Sequence, residues 1–541
     1  MYALKIFILT NMKEKFARYF CSTGFFALFY LIVLSFLVRF PSFFKDVINW
    51  DESTFILLGQ SLLDGHLPYT ELWDLKPPLL WGAFALFILT LGKSIISVRV
   101  AGTICVALIA WFTYLIGSDI RSSKVGLISG TLVVFGASLI GVEFSAVLSE
   151  HVALVPMMAA ILVLVRQRIG IKQLSLIGFL MLTASMIRLN LAYTALAIGI
   201  ALLFIPPIQE RNFISITRTI ILRGSAYALG GLAVIALTFL PYVITNQTHL
   251  FWQSVVLAPL SYSGSKYSSF GALKIHLRKV FNLFLDRSII FSHLPSSQSV
   301  ITILIFLGGL LGILLTVIRW KKLGSWERRG NILITIAFIS TSISILKGGE
   351  AFSHYWIQII PFLSLFAALV YEPILRKKFL WQTMPVAFLL SIYIISGTFQ
   401  GYRSVISQAQ AGLDLRSGPA YEIANYFKEL GVEKRPIYLM TYHITYWLID
   451  AKPLTRSSTH PSNIAREHLL RFSMGSETTA NMALAEVFEK KPEFVVTVPK
   501  IGYLRGNVAA QGLLGRTLQN DYGLIKEIEG IQIYKRSDTR V

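Results

Sequence analysis

Apolar runs of roughly 17–25 residues, the length that crosses a bilayer as a helix, recur along the first 400 or so positions of this 541-residue chain. Only 15% of the residues are charged, where a soluble protein carries about 25%, and the mean hydropathy is +0.61. The chain therefore reads as a polytopic membrane protein. Its formal charge of +21 could suggest a nucleic-acid partner. Much of that charge lies in short loops between apolar runs, however, and positive-inside topology with anionic lipid headgroups accounts for it. No nucleic-acid partner is expected; membrane lipids are. Cys21 and Cys105 both fall in or beside apolar runs, which argues against a disulfide framework and a zinc site.

Eleven spans are expected, at about 20–41, 98–117, 124–141, 151–165, 173–187, 191–207, 225–244, 299–318, 331–346, 356–371 and 380–397. The first, preceded by Lys5, Lys13 and Lys15, reads as an uncleaved signal anchor with the N-terminus cytoplasmic. On that placement the six short cytoplasmic segments hold 19 lysines and arginines, and the three short loops on the other side hold two. Residues 79–92 are apolar enough to tempt assignment as a twelfth span. That assignment would carry Arg121, Lys124, Arg166 and Arg168 to the outside, against the charge rule. They are read instead as a helix lying in or dipping into the outer interface. Two long external loops result, 42–97 and 245–298, both rich in aromatics.

After residue 397 the composition changes to charged helices and short strands, so 1–397 forms the membrane domain and 398–541 an extracytoplasmic domain of mixed α and β structure. Ser417-Gly-Pro419 opens a helical pattern that stops at Gly431. Strands are expected at Arg435–Thr441 and Glu493–Val498, with a hairpin over Leu524–Lys535 turning at Glu529-Gly530.

The chemistry-bearing residues concentrate beside the first span. Asp51 and Glu52 are adjacent carboxylates at the membrane surface, where a carboxylate serves as general base, metal ligand or solvated loop charge. Trp50, Tyr69, Trp73 and Trp81 can anchor the loop at the interface or stack on sugar. Lys76 precedes Pro77 and Pro78, which fix the backbone and leave its amine near headgroup level. A lysine so placed suits a lipid phosphate, as a point charge.

The pattern Asp51-Glu52, Gly65-His-Leu-Pro68-Tyr69, Asp74-Leu-Lys76-Pro77-Pro78 resembles the first external loop of membrane glycosyltransferases of the GT-C fold. The resemblance is to bacterial proteins of the dolichyl-phosphate-mannose protein mannosyltransferase and aminoarabinose transferase type. The motif spans about 30 residues, and the layout of spans and loops extends the likeness over roughly 20–400. It implies an all-α polytopic membrane domain of about eleven helices followed by the α/β domain. It also implies transfer of a sugar from a polyprenyl-phosphate donor to a hydroxyl of a glycan, lipid or protein acceptor, with inversion, at the bacterial inner membrane. By the same resemblance Asp51 is the catalytic acid that activates the acceptor hydroxyl, Glu52 supports it, and Lys76 contacts the lipid-linked phosphate. Such enzymes have a second acid in the next external loop, for which Glu143 and Glu150 both stand as candidates. Mg²⁺ or Mn²⁺ could be held by Asp51 and Glu150.

Further along, Lys347 and His354-Tyr355 share the fifth external loop, and His354-Tyr-Trp-Ile-Gln-Ile-Ile-Pro361 resembles a stretch of the same bacterial branch. Arg188 ends a span on the same side, where an arginine is costly unless it snorkels or faces a polar cavity. Arg188, Lys347, His354 and Tyr355 join Lys76 as candidates for the phosphate. No Gly-rich nucleotide loop or Walker motif is present. Two rival readings are a ligase or polymerase of lipid-linked glycans and a transporter or flippase. The second is disfavoured by charge-poor span centres and the lack of a visible repeat.

Overall fold

The computed structural model describes residues 23–166, 169–205, 212–262, 267–284, 296–373, 380–433 and 435–537. The signal-anchor lysines and Cys21 lie outside them, as do parts of the 245–298 loop. Each of the eleven expected spans coincides with a helix, from Thr23–Arg39 through Ile95–Ile120 and Phe213–Ile244 to Leu380–Ser396. Among the described residues five helices are long and apolar enough to cross a membrane, and several others are apolar but shorter.

The segment 42–97 is itself largely helical. Asn49 caps helix Trp50–Leu63 by accepting from the Asp51 N–H at 2.8 Å. Asp51 and Glu52 occupy the first turn, where the helix dipole favours negative charge. Pro78 opens helix Pro78–Leu91, in the position where a missing N–H costs nothing. Its 14 residues extend about 21 Å, short of the roughly 30 Å hydrocarbon core. The two helices pack tightly at Gly59, where a Cβ would stand 2.7 Å from Ala85 N. Leu80, Trp81, Phe84 and Ile88 are buried, while Leu86 and Leu89 remain exposed.

The C-terminal region carries a four-stranded sheet. Strands β1 (Ile437–Leu439) and β2 (Phe494–Thr497) run parallel. Strand β4 (Ile531–Arg536) is antiparallel to β2, and β3 (Tyr522–Ile528) takes the edge beyond it. The period of two in the strands sorts side chains to the two faces. Ile437, Leu439, Phe494, Val496 and Ile533 join the same buried core as the membrane helices, while Tyr438, Met440 and Val495 belong to a second, smaller core. One face of the sheet thus buries its apolar side chains in a core shared with segment 42–97.

Polar contacts fix that docking. Phe44 and Asp46 exchange backbone hydrogen bonds with Ser417 at 2.9 and 3.0 Å, and the Asp46 carboxylate accepts from Ala420 N at 2.6 Å, closing the N-terminus of helix Pro419–Glu429. Gly418 is required between them: its φ is +123°, and a Cβ would fall 2.1 Å from Asp46 Oδ1. Thr54 Oγ1 meets His443 Nε2 at 2.8 Å, Trp447 donates to Gln60 at 3.0 Å, and Trp73 N donates to Thr459 at 3.1 Å.

Candidate functional site

Successive residues on a helix point about 100° apart, so the adjacent carboxylates Asp51 and Glu52 go to different places. Glu52 turns inward, its side chain 2% exposed, into a buried ion pair with Arg99 at 2.6 Å. Arg99 also donates to the carbonyls of Ser42, Lys45 and Asp46, and Glu52 accepts from Val147 N at 2.8 Å. Glu52 is therefore a tie between three segments and does not line the cleft.

Asp51 does line it. Its side chain keeps 32% exposure, with Lys76 Nζ at 3.9 Å and His460 Nε2 at 3.8 Å. Lys76 is held by its backbone. Its N–H bonds Asp74 Oδ1 at 3.2 Å, and its carbonyl accepts from Tyr69 OH at 2.8 Å and Trp81 Nε1 at 3.4 Å. Tyr69 itself stands at φ 73°, an outlier for a side-chain-bearing residue that the surrounding packing maintains. The cleft is open to solvent and spans about 1070 Å³ with its mouth included, and its walls include Trp50, Asp51, Asp74, Lys76, Glu143, Tyr262, His354 and Tyr355. A second, open chamber adjoins it, about 900 Å³ with its mouth included, sharing Leu75, Lys76, Tyr262 and Tyr355 and lined further by Pro77, Arg188, Tyr193, Leu260, Ile345 and Lys347. Tyr193 and Leu260 are exposed there, on the apolar outside of the helices.

The two candidates for the second acid take different positions. Glu143 lines the cleft and faces His354 Nδ1 at 3.5 Å. Glu150 opens helix Ser149–Val165 behind it and pairs with Arg188 at 2.9 Å, with His354 Nε2 at 3.8 Å. Arg188 also donates to Ser149 Oγ at 2.7 Å and lies over the Tyr355 ring at 4.7 Å. The buried arginine that hydrocarbon would penalise is thus neutralised by a carboxylate. The structure brings Asp51, Lys76, Glu143, His354 and Tyr355 to one cleft, and Arg188 and Lys347 to the adjoining chamber. Glu150 is the counter-ion of Arg188.

These commitments do not suit the Mg²⁺ or Mn²⁺ that Asp51 and Glu150 were expected to hold. Hard divalent ions take several oxygen ligands, but each of these carboxylates already faces its own cation. No group of three His, Cys, Asp or Glu side chains among the described residues has metal-binding proximity.

The sequence reading missed His460, Asn463 and Arg466, which line the same cleft from the C-terminal domain. They sit in a Ser-, Thr- and Pro-containing stretch whose only local signal is a turn. Ser462 N–H donates to His460 Nδ1 at 3.2 Å, so the neutral ring carries its proton on Nε2, the nitrogen facing Asp51. Burial pushes His460 down to about 4, against the pull of Asp51, which keeps the ring neutral near pH 7. Burial by itself would raise Asp51, but Lys76, His460, His354 and Arg466 together hold its carboxyl well below the usual carboxylate range. Asp74 goes the other way: burial lifts it to about 6, although Lys76 opposes the rise. The facing His354 ring, 3.5 Å away, holds the Glu143 carboxyl below its usual range.

This arrangement of a helical bundle and a small α/β domain aligns with solved structures along most of its length. The chain aligns with ArnT from Cupriavidus metallidurans in the apo state at a TM-score of 0.57 and 11% identity, covering 95% of this chain and 98% of that one. It aligns with the same protein bound to undecaprenyl phosphate at 0.53 and 12%, with the same coverage. The archaeal oligosaccharyltransferase AglB from Archaeoglobus fulgidus, in complex with an inhibitory peptide and a dolichol-phosphate, aligns at 0.50 and 12%, over 96% of this chain and 75% of that one. No protein-family model and no curated protein sequence matches the chain. The fold is the GT-C type that the first-loop motif implied.

Proposed function

We propose that this protein is an integral membrane glycosyltransferase that moves a sugar from a polyprenyl-phosphate donor to an acceptor hydroxyl on the extracytoplasmic face, with inversion at C1. The observation that carries the proposal is the position of Lys76. It stands in the wall common to a polar cleft and an apolar chamber, 3.9 Å from Asp51. A lipid-linked sugar has the matching division: an apolar chain, a phosphate and a polar ring. That ArnT was solved with undecaprenyl phosphate and AglB with a dolichol-phosphate supports this class of donor.

In this reading the acceptor oxygen attacks C1, its proton passes to Asp51, and the C1–O bond to phosphate breaks. Lys76 neutralises the departing phosphate, as preorganised charge does for developing negative charge. The ion pair has a second use. In the free site Lys76 lowers the basicity of Asp51. A donor phosphate that draws Lys76 away restores that basicity at the moment a base is needed. His460, neutral and 3.8 Å from Asp51 through Nε2, does not compete as a base.

Lys76→Ala should raise the donor KM by tenfold or more, on the scale of about 1.5–3 kcal/mol for a bond to a charged group. Lys76→Arg should recover part of it, because charge rather than fork geometry is required. Transfer rates measured against a polyprenyl-phosphate sugar and, separately, a nucleotide sugar test the class of donor. Turnover of the nucleotide sugar alone would end the proposal.

Asp74 gives the pH dependence its sign. Bound phosphate disfavours the charged form of Asp74, so donor binding takes up a proton and strengthens as pH falls through about 6. Donor KM should fall on the order of threefold between pH 7.5 and 5.5, and Asp74→Asn should flatten that slope. A slope unchanged in Asp74→Asn would remove Asp74 as its source.

A further inference from the structure

Three carboxylates around the cleft each face a basic side chain. Asp51 faces Lys76, Glu143 faces His354, and Glu150 faces Arg188. Arg466 lines the cleft with its guanidinium over the Tyr262 ring at 5.9 Å. Among the described residues no carboxylate lies within ion-pair distance of it, and its side chain donates no hydrogen bond. Its charge reaches Asp51 and Asp74 only at longer range.

A second observation points to the same place. Asn463, three residues earlier and only 3% exposed, also lines the cleft, and its Nδ2 has no hydrogen-bond partner. A buried amide donor left unmade costs about 1–3 kcal/mol, and such a group calls for an explanation. The backbone fixes the pair: Arg466 N–H donates to Asn463 O at 3.0 Å, and Asn463 N–H to His460 O at 2.9 Å. One short turn therefore presents Arg466 and Asn463 beside His460, with unmade donors and no acceptor to receive them.

We propose that Arg466 and Asn463 form a subsite for an anionic group, a phosphate or carboxylate, carried by the acceptor and separate from the lipid phosphate of the donor. Arg466 supplies the forked charge-assisted bonds that planar anions prefer, and Asn463 adds a neutral donor. The separation follows from the layout. Lys76 belongs to both chambers, whereas Arg466 and Asn463 line the polar cleft and not the apolar chamber. The turn at 460–466 thus adds specificity to a site whose donor machinery comes from the membrane domain. Naming the acceptor as the source rests on the glycosyltransferase reading; the anion subsite itself does not.

The test uses the full chain in detergent with two probes. Undecaprenyl phosphate is titrated alone, and inorganic phosphate is titrated with undecaprenyl phosphate saturating. Arg466→Gln and Asn463→Ala should weaken inorganic phosphate about tenfold or more and leave undecaprenyl phosphate within about twofold. Arg466→Lys, which keeps the charge and guards against loss through misfolding, should recover part of the binding. Equal phosphate binding by wild type and Arg466→Gln would overturn the subsite. A tenfold loss of undecaprenyl phosphate in Arg466→Gln would assign the residue to the donor and equally overturn it. Failure of the wild type to bind undecaprenyl phosphate, with an Arg466-dependent response to inorganic phosphate alone, would strike the functional reading and leave the anion site standing.

Discussion

Asp51→Asn should reduce sugar transfer by about 10²–10⁴-fold, the usual contribution of a positioned general base. The substitution keeps the volume and the Asn49 cap, which uses the backbone N–H of residue 51. It removes the proton acceptor and the charge that holds Lys76 at 3.9 Å. Thermal stability in detergent should change little, because the side chain is a third exposed and its pairs are long. Donor KM should stay the same or fall, since Lys76 loses its competing carboxylate. Single-turnover transfer measured beside donor binding separates these effects. Retention of more than about a tenth of the wild-type rate would remove Asp51 as the base and turn attention to Glu143 and Asp74, the other carboxylates in the cleft.

Arg99→Met should cost on the order of 3–5 kcal/mol, the range for removing one partner of a buried ion pair. It leaves the Glu52 carboxylate uncompensated and the carbonyls of Ser42, Lys45 and Asp46 without their shared donor. Glu52→Gln should show the same signature more weakly, as its amide oxygen can still accept from Val147 N. The measurement is the thermal midpoint in detergent together with kcat of the surviving folded fraction. A fall in midpoint with kcat largely kept identifies Glu52 as a structural tie. Lost kcat at an unchanged midpoint would place it in the chemistry.

The two outcomes separate a pair that the sequence presents as a unit. Asp51 and Glu52 are neighbours in the chain, and the motif around them assigns both to one function. What divides them is the 100° step of the helix together with Arg99, from a helix that begins at Ile95. The motif singled out Lys76 from local features, its two prolines and the Asx-type bond to Asp74, and the fold places that residue in the cleft beside Asp51. It gave no means of choosing between Glu143 and Glu150. That difference lies in which of them Arg188 neutralises, and Arg188 comes from the end of another helix.

The sequence by itself determined the helical membrane bundle, the positions of its helices, the four strands of the C-terminal domain and the first-loop motif. Each of these is written in hydrophobic period, apolar run length or turn residues within a short window. Only the tertiary structure decided that the C-terminal domain closes the cleft. Thr54 and His443 touch although 389 residues separate them, and His460 reaches Asp51 from the same domain. His460, Asn463 and Arg466 sit in an irregular turn with no period to mark them. They reach the cleft because one face of the sheet must bury Ile437, Leu439, Phe494 and Val496, and the core that receives them includes segment 42–97. Burial of apolar surface, which carries no local address, thereby places three polar side chains opposite Asp51.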